Sequence, residues 1–388
     1  MLQKEEFPLY TEINWQGIRD QFPAVSKYTY LNAAEGSAIP YKVAKAGKKV
    51  YEQLLEDGDL FWEEWLEEKE QVREKLANFI NAKTDEIAFT HNTSSGMNII
   101  AEMFKDKDFE VLAMEHEFPS STIPWFHRNF TVNFVPAINN EFSIQEIKKH
   151  INPKTKIIVT SYVQYCTGYK QDIIELGKLC KEKGLIFIVN AAQAMGVQKV
   201  DVRKANIDFL LFTGHKWMLS SYGVGGLFIN EELIDDSSQK ISKKMKLPNA
   251  GWQSTIDPDL MDNQTFDIKN NSSSLELGCQ HFPNIFSLGA ALDFFNSIGI
   301  ENIEKRISEL RTYLWQELRK INLAIISPEG NQSGITIVKF TNTPEICQKL
   351  FGHKVVCSAR GEGLRISLHV YNNFEDIDLL IKNLVTLI

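Results

Sequence analysis

Two apolar runs of the chain, each ending in polar residues, constrain its fold more than any other stretch. The first, Leu185 to Val189, is followed by Asn190, and the second, Ile207 to Phe212, is followed by the sequence Thr-Gly-His-Lys that ends at Lys216. Runs of this kind are typical of strands that are buried on both faces of a parallel sheet. The polar residues are then expected at the carboxyl edge of the sheet, where open α/β folds bind their ligands.

The lysine that follows the second run, Lys216, is the main candidate for a catalytic residue. Thr213 and His215 precede it, and a glycine-rich stretch, Gly223 to Gly226, follows it, so that hydroxyl, imidazole and glycine backbone form a set suited to a phosphate. A lysine amine in such a place can form a Schiff base with a carbonyl compound. From these residues alone a solvent-exposed loop lysine is the more common case, because most lysines are exposed.

The overall composition favours small-molecule chemistry. The 388 residues carry a formal net charge of −8, with 42 Lys and Arg against 50 Asp and Glu, which argues against a nucleic-acid partner. The N-terminus lacks the pattern of a signal peptide, and no apolar run is long enough to span a membrane. The five cysteines show no CxxC spacing, so neither a metal site nor a disulfide framework is expected. We therefore expect a cytoplasmic protein without a membrane partner or a metal.

The order of the predicted elements indicates two domains and an arm. Between Glu86 and Asp262, apolar strands alternate with helical segments, which indicates an α/β fold with a parallel sheet. Beyond Asp262 the alternation ends in a loop rich in Asn and Ser, and the helices and strands that follow predict an α+β domain. We expect an arm of residues 1–30 that packs with the small domain, a large domain of residues 31–262 and a small domain of residues 263–388.

A second candidate site lies at the start of a predicted helix, Met97 to Phe104. The connection from the preceding strand, Ile87 to Thr90, contains Thr93, Ser94 and Ser95 followed by a glycine. Hydroxyl groups at a helix N-terminus make an anion site, because the unpaired backbone N–H groups and the helix dipole both favour negative charge. A helix cap without a ligand is the alternative, since Ser and Thr are common capping residues.

Together, the block from Asn190 to Lys216, the loop at Thr93 and the segment from Gly363 to Asn372 resemble the class V aminotransferase family of pyridoxal phosphate (PLP) enzymes. This family includes cysteine desulfurases, selenocysteine lyases, kynureninase and isopenicillin N epimerase. The resemblance implies PLP fold type I, the aspartate-aminotransferase-like fold, with a large, mostly parallel α/β domain and a smaller C-terminal α+β domain. It also implies a homodimer with shared active sites and an amino acid or keto acid substrate.

The resemblance implies a role for each matching residue. Lys216 would hold PLP as a Schiff base and act as the general base or acid at the substrate α-carbon. Arg365 would bind the substrate carboxylate through two parallel hydrogen bonds. The other implied cofactor-binding positions are Thr93, Ser94, Ser95, Phe118, Asn190, Gln193, Thr213, His215 and Cys279. The other implied substrate-binding positions are Asn32, Tyr165 and Arg360, and a solvent-exposed charge explains Arg360 equally well.

Several residues depart from the family pattern. Asn190 stands where the family has an aspartate that keeps the PLP ring nitrogen protonated, so a weaker electron sink is expected. Phe118 replaces a histidine that stacks on the ring, and phenylalanine cannot transfer a proton. Cys279 replaces a threonine that reaches the PLP phosphate of the partner subunit. A cysteine desulfurase needs an activated thiol on a mobile loop, whereas Cys357 lies in an apolar run and is predicted to be structural.

The main functional prediction is therefore a PLP-dependent aminotransferase of the class V type. One alternative is a lyase, a cysteine desulfurase or an epimerase that uses the same cofactor. The other is a protein that binds the cofactor with little activity, because Asn190 replaces the usual aspartate.

Overall fold

The computed structural model describes residues 13–105, 107–234, 247–264, 266–330 and 332–387. The strands are β1 Thr29–Tyr30, β2 Ile87–Thr90, β3 Glu110–Met114, β4 Thr131–Val135, β5 Thr155–Ser161, β6 Ile186–Asn190, β7 Phe209–Thr213, β8 Gly225–Ile229, β9 Ile335–Lys339, β10 Val355–Val356, β11 Ser358–Arg360 and β12 Gly363–Ser367. The helices are α1 Trp15–Arg19, α2 Tyr41–Asp57, α3 Trp62–Phe79, α4 Thr93–Met103, α5 Ile123–His127, α6 Ile144–His150, α7 Ile173–Glu182, α8 Phe282–Ile298, α9 Ile300–Lys320, α10 Thr343–Gly352 and α11 Phe374–Leu387.

A seven-stranded sheet forms the centre of the large domain, in the order β2-β8-β7-β6-β5-β3-β4. Strands β4, β3, β5, β6 and β7 run parallel to one another, and β8 runs antiparallel to both β7 and β2. Every residue of β6 and β7 is buried, which explains why both strands read as continuous apolar runs. The two strands pair with Asn190 opposite Leu211. Their polar continuations therefore meet at the carboxyl edge of the sheet, as the sequence predicts.

Two of the glycines after Lys216 have a role in the packing of the sheet. Gly225 and Gly226 are the first two residues of β8, and their place in a phosphate-binding set stays a prediction. A Cβ atom on Gly225 would come within 2.3 Å of the carbonyl oxygen of Phe212, and one on Gly226 within 2.2 Å of the Phe212 ring. The close packing of β8 on β7 requires residues without side chains at both positions.

A three-stranded antiparallel sheet, in the order β11-β12-β9, belongs to the C-terminal part of the chain. Its apolar side chains pack with those of α9, α10 and α11 in a separate buried cluster. The N-terminal segment joins this part, because β1 pairs with β10 and Arg19 forms an ion pair with Asp376 at 2.7 Å. On these contacts we propose that the arm packs with the small domain. The boundaries at residues 31 and 262 stay predictions, and residues 1–12 of the arm lie outside the described residues.

Candidate active site

Lys216 lies three residues beyond the end of β7, in a segment that is anchored through its neighbour Trp217. The indole N–H of Trp217 donates to Gln193 Oε1 at 2.6 Å, and its carbonyl oxygen lies 3.1 Å from His369 Nε2. Both Trp217 and His369 are buried. The Lys216 ammonium group lies 5.5 Å from the centre of the Phe118 ring. The backbone next to Lys216 is therefore held in place through Trp217, and the Lys216 side chain lies beside the Phe118 ring.

The electrostatic surroundings of Lys216 favour its neutral form. Burial, and next the positive charge of Arg365, lower the pKa of Lys216 to about 8. A neutral amine is the form that attacks an aldehyde. The lowered pKa suits the Schiff-base role that the sequence predicts for this lysine.

Arg365, in β12, is a buried cation that lacks an acidic partner among the residues that the structure describes. Only 2% of the residue is exposed. Its Nε donates to Ser358 Oγ at 3.1 Å and its Nη1 to the Tyr165 carbonyl oxygen at 3.4 Å. Burial, together with the charge of Arg360, lowers the pKa of Arg365 to about 10. An unpaired buried charge is costly, and a carboxylate from a ligand would offset that cost.

The other substrate-side candidates form a chain of contacts beside Arg365. Arg360 Nη2 donates to Glu35 Oε1 at 2.7 Å, and Glu35 Oε2 accepts from Asn32 Nδ2 at 3.1 Å. The charges of Arg360 and Glu35 both act on the pKa of Lys216, which places them near the amine. Asn32 Oδ1 is buried and has no hydrogen-bond partner in the described part of the chain. This oxygen is therefore a free acceptor for an N–H or O–H group of a ligand.

Glu35 is a residue of this site that the sequence analysis does not single out. Its signal is a single charge within a loop of small residues, from Asn32 to Ser37. The partner that gives the charge its place, Arg360, is 325 positions away in the chain.

Helix α4 begins at Thr93. Its first turn bears on both interpretations of the hydroxyl-rich loop, an anion site and a helix cap. Asn92 is the N-cap: its Oδ1 accepts from the Ser95 N–H at 3.0 Å, and Ser95 Oγ accepts from the Asn92 N–H at 3.2 Å. Ser95 is thus engaged in capping the helix. Thr93 and Ser94 occupy the first two helical positions, whose N–H groups have no acceptor within an α-helix. The N–H groups of these two residues suit an anionic ligand.

The second phosphate candidate is the pair of Thr213 and His215. Thr213 Oγ1 lies 3.0 Å from His215 Nδ1, and the imidazole stacks on the Tyr222 ring at 4.2 Å between ring centroids. Burial, and next the charge of Lys216, lower the pKa of His215 to about 4. The ring is therefore neutral at pH 7 and carries a single N–H. When the Thr213 hydroxyl donates to Nδ1, that N–H is on Nε2 and is available to a phosphate oxygen.

The predicted ring-binding residues differ in how many contacts they already make within the protein and in how exposed they are. The Gln193 side chain is bound at both ends, because its Oε1 accepts from Trp217 and its Nε2 donates to the Ala34 carbonyl oxygen at 3.0 Å. Asn190 is buried, donates from Nδ2 to Ser121 Oγ at 3.0 Å and accepts at Oδ1 from the Ala192 N–H at 3.1 Å. Phe118 is 42% exposed. Of the three, Phe118 presents the most open surface to a ligand.

The thiols near this site are poorly suited to nucleophilic chemistry. Burial raises the pKa of Cys166 to about 11. The Cys166 thiol donates to the His116 carbonyl oxygen, at 3.9 Å from Sγ. Burial also raises the pKa of Cys357, whose structural role stays a prediction. Cys279 is exposed. Three residues before Cys279, Glu276 accepts from the Phe89 N–H at 2.8 Å, which ties the segment that contains both residues to β2.

The geometry supports a PLP enzyme by observations that are independent of any resemblance. A lysine with a lowered pKa, a helix N-terminus with two uncommitted N–H positions and an unpaired guanidinium suit an aldehyde, a phosphate and a carboxylate, respectively. Among the described residues there is no group of three or more His, Cys, Asp or Glu side chains that could hold a metal ion. None of the helices in the described part of the chain is long and apolar enough to cross a membrane.

Comparison with known proteins places the chain in one family. The model of the class V aminotransferases matches residues 29–380. The fold and the site define a PLP-dependent enzyme of fold type I. The chain belongs to the class V aminotransferase family, and its cofactor is PLP.

Two relatives and two solved structures illustrate the similarity. A probable cysteine desulfurase of Pyrococcus abyssi is 26% identical over 96% of this chain and 97% of its own length. The uncharacterized aminotransferase YcbU of Bacillus subtilis is also 26% identical, over 92% of this chain and 94% of its own. Among solved structures, the apo cysteine desulfurase of Thermococcus onnurineus has a TM-score of 0.86 at 22% identity and covers 97% of this chain and 98% of its own. The cystine C-S lyase C-DES, solved with its product cysteine persulfide, has a TM-score of 0.83 at 22% identity. The match covers 94% of this chain and 99% of C-DES.

Proposed function

We propose that the protein is a PLP-dependent lyase that acts on an amino acid with a sulfur leaving group on its β-carbon. The unpaired, buried guanidinium of Arg365 next to Lys216 is the observation that carries the proposal, because it selects a substrate with a carboxylate. The names of the relatives support sulfur chemistry. The lyase was an alternative in the sequence analysis, and these comparisons favour it over the aminotransferase.

In this proposal the residues of the site divide the work of holding the cofactor. Lys216 forms the covalent link, Thr93, Ser94 and His215 bind the phosphate, and Phe118 and Asn190 contact the ring. PLP, when bound, supplies the aldehyde and an electron-withdrawing ring that makes the α-proton of the substrate acidic.

The reaction itself needs one proton-transfer group and one carboxylate-binding group. Arg365 holds the substrate carboxylate, and the Lys216 amine takes the proton from the α-carbon. The bond between the β-carbon and sulfur then breaks, and the sulfur leaves with the electron pair. Addition of water releases the remaining carbon unit as pyruvate and ammonia. Phe118 cannot carry a proton, so this role falls to Lys216.

The state of the thiols favours a lyase over a desulfurase that transfers sulfur to its own cysteine. Such a desulfurase needs a thiolate above the cofactor, whereas burial keeps Cys166 and Cys357 protonated. A lyase needs no protein thiol, because the sulfur departs with the leaving group.

Cystine and an S-alkyl cysteine test this proposal directly. The PLP-loaded protein is expected to form pyruvate and ammonia from these compounds without an added keto acid, measured by coupling to lactate dehydrogenase. Cys166→Ala is expected to retain this activity, and Lys216→Ala is the negative control. Formation of alanine from free cysteine that is lost in Cys166→Ala would support a desulfurase instead. Turnover only in the presence of a keto acid would support the aminotransferase.

The aminotransferase stays the second candidate. Lys216 and Arg365 serve transamination equally well, and YcbU carries the name of an aminotransferase. The names of the other relatives favour the lyase over it. A cofactor-binding protein with little activity is the third candidate. The cytoplasmic location stays a prediction.

We further propose that the protein is a homodimer whose subunits share their active sites, with Cys279 directed at the partner subunit. Large apolar side chains are exposed on α2, on the turn after it and on the segment 252–277; among them are Tyr51, Leu55, Leu60, Ile256, Leu260 and Phe266. Surfaces of this kind mark protein interfaces, and a second copy of the chain would cover them.

Analytical ultracentrifugation tests the dimer. The wild type is expected to sediment as a dimer at micromolar concentration, and Leu55→Asp together with Ile256→Asp is expected to yield monomers. Leu379→Asp, at an exposed apolar position of α11, is the matched control and is expected to stay dimeric. A monomeric wild type would contradict the proposal.

A further inference from the structure

Glu117 is a buried acidic residue that the proposed mechanism does not use. Its Oε1 accepts from the Ser161 N–H at 2.6 Å and from Gln164 Nε2 at 2.9 Å, and its Oε2 accepts from Ser161 Oγ at 2.6 Å. Among the described residues, no Lys, Arg or His forms an ion pair with it. The titratable side chains that face it are Tyr165 and Cys166, and the pKa of each is raised. The carboxyl group is therefore held by hydrogen bonds rather than by a cation.

A short hydrogen-bond path joins this carboxyl group to Asn190. The Ser121 hydroxyl is among the hydrogen-bonding groups that act to lower the pKa of Glu117, and its oxygen accepts from Asn190 Nδ2 at 3.0 Å. Glu117, Ser121 and Asn190 are all buried. A hydroxyl group has a single proton, so when Ser121 donates to the carboxylate its oxygen is left as the acceptor for the Asn190 amide.

The path fixes the orientation of the Asn190 side chain. The Asn190 Nδ2 is directed at Ser121, and its Oδ1 accepts from the Ala192 N–H at 3.1 Å. Glu117 Oε1 is bound by the Ser161 backbone N–H and by the Gln164 side-chain N–H. Both groups can only donate, so Oε1 remains an acceptor. A proton on this group would therefore lie on Oε2, the oxygen that meets the Ser161 hydroxyl. Burial raises the pKa of Glu117, and the hydrogen bonds from Ser161, Gln164 and Ser121 oppose that rise.

We propose that Glu117 is a positioning residue that acts through Ser121 on Asn190, and that it supplies, one hydroxyl group away, the negative charge that the family places at position 190. The inference rests on the proposed function, in which Asn190 contacts the ring nitrogen of PLP. A negative charge near that nitrogen favours its protonated form, because opposite charges at short range stabilise each other in a low-dielectric site. The asparagine is then part of a two-residue substitute for the aspartate.

The proposal makes Glu117 and position 190 interdependent. Asn190→Asp alone would place two carboxylates on either side of one hydroxyl, and like charges at such a distance cannot both stay ionised. The added charge is then largely cancelled by proton uptake. Asn190→Asp combined with Glu117→Gln moves the single charge to position 190 and is expected to restore the behaviour that Glu117→Gln removes.

The test is the ring nitrogen of PLP labelled with nitrogen-15, bound to the protein and observed by solid-state NMR. Its chemical shift reports whether the nitrogen carries a proton. In Glu117→Gln and in Ser121→Ala, the ratio of protonated to neutral nitrogen is expected to fall about tenfold relative to the wild type. The double variant of Glu117→Gln and Asn190→Asp is expected to recover the wild-type shift. Glu35→Gln, which removes another carboxylate of the site outside this path, is expected to leave the shift unchanged.

The outcomes separate this inference from the proposed function. A wild-type Schiff base with the same nitrogen shift in Glu117→Gln and Ser121→Ala would overturn the positioning role and leave the proposed function intact. If Glu117→Gln does not fold, Ser121→Ala decides the question alone, because it removes the connecting hydroxyl and keeps the carboxylate. Absence of any Schiff base in the wild type would overturn both.

Discussion

Replacement of Lys216 by alanine is expected to abolish the covalent attachment of PLP and to lower turnover at least about a thousandfold. The variant loses both the amine that binds the cofactor aldehyde and the group that takes the α-proton. The measurement is the absorbance of the Schiff base after gel filtration, with turnover followed as pyruvate. Lys83→Ala is the matched control, because Lys83 is an exposed lysine that is paired with Glu231, and it is expected to behave as the wild type.

The pH dependence of attachment in the wild type is the second control of this prediction. Only the neutral amine reacts, and burial together with Arg365 lowers the pKa of Lys216 to about 8 from its ordinary value of 10.5. The rate of Schiff-base formation by the apoprotein is therefore expected to rise with pH and to level off above pH 8. A Schiff base that persists in Lys216→Ala, or a rate that rises steeply only above pH 10, would contradict the assignment.

Arg365→Met is expected to raise the KM for the amino acid about a hundredfold, with a smaller effect on kcat. The substrate carboxylate loses its charged hydrogen-bond donors, and methionine supplies none in their place. The stability of the apoprotein is expected to stay equal or to rise. The pKa of Arg365 is lowered in the fold to about 10, so at pH 7 its charge is a cost to the folded state that methionine removes. Steady-state kinetics and a thermal melt measure the two effects.

Arg19→Met is the contrasting control for this prediction. Arg19 is paired with Asp376 at 2.7 Å, so its removal leaves a buried carboxylate without its partner. We expect a lower Tm and an unchanged KM. If Arg365→Met instead lowered the Tm and left the KM unchanged, Arg365 would be a structural residue and the assignment of the substrate carboxylate would be wrong.

The elements that the sequence predicts best are those whose pattern is set by burial on both faces. The runs of β6 and β7 are continuous because neither strand has a solvent-facing side. The edge strand β4 has only two buried residues, Val132 and Val135, and has no counterpart among the sequence predictions. Strand β8 is obscured because it begins with Gly225 and Gly226, which are poor strand formers that close packing on Phe212 requires.

In the candidate site, the residues that are close together in the sequence are the ones that the sequence predicts. The contacts between distant parts of the chain are not predicted. Lys216, His215 and Thr213 are close in sequence, so their pattern is visible without a structure. The pairing of Glu35 with Arg360 spans 325 positions, and the path from Glu117 through Ser121 to Asn190 joins β3 to β6. Nothing in the spacing of these residues predicts such contacts. The path to Asn190 depends on the order of strands in the central sheet, which sets β5 between β3 and β6.

The most direct test of the account is to locate the cofactor on the chain. The PLP-loaded protein is reduced with borohydride and digested, and the peptide that carries the pyridoxyl group is identified by mass spectrometry. The account predicts a single modified peptide, with the group on Lys216. Modification of another lysine in place of Lys216, or an unmodified chain after loading and reduction, would contradict it.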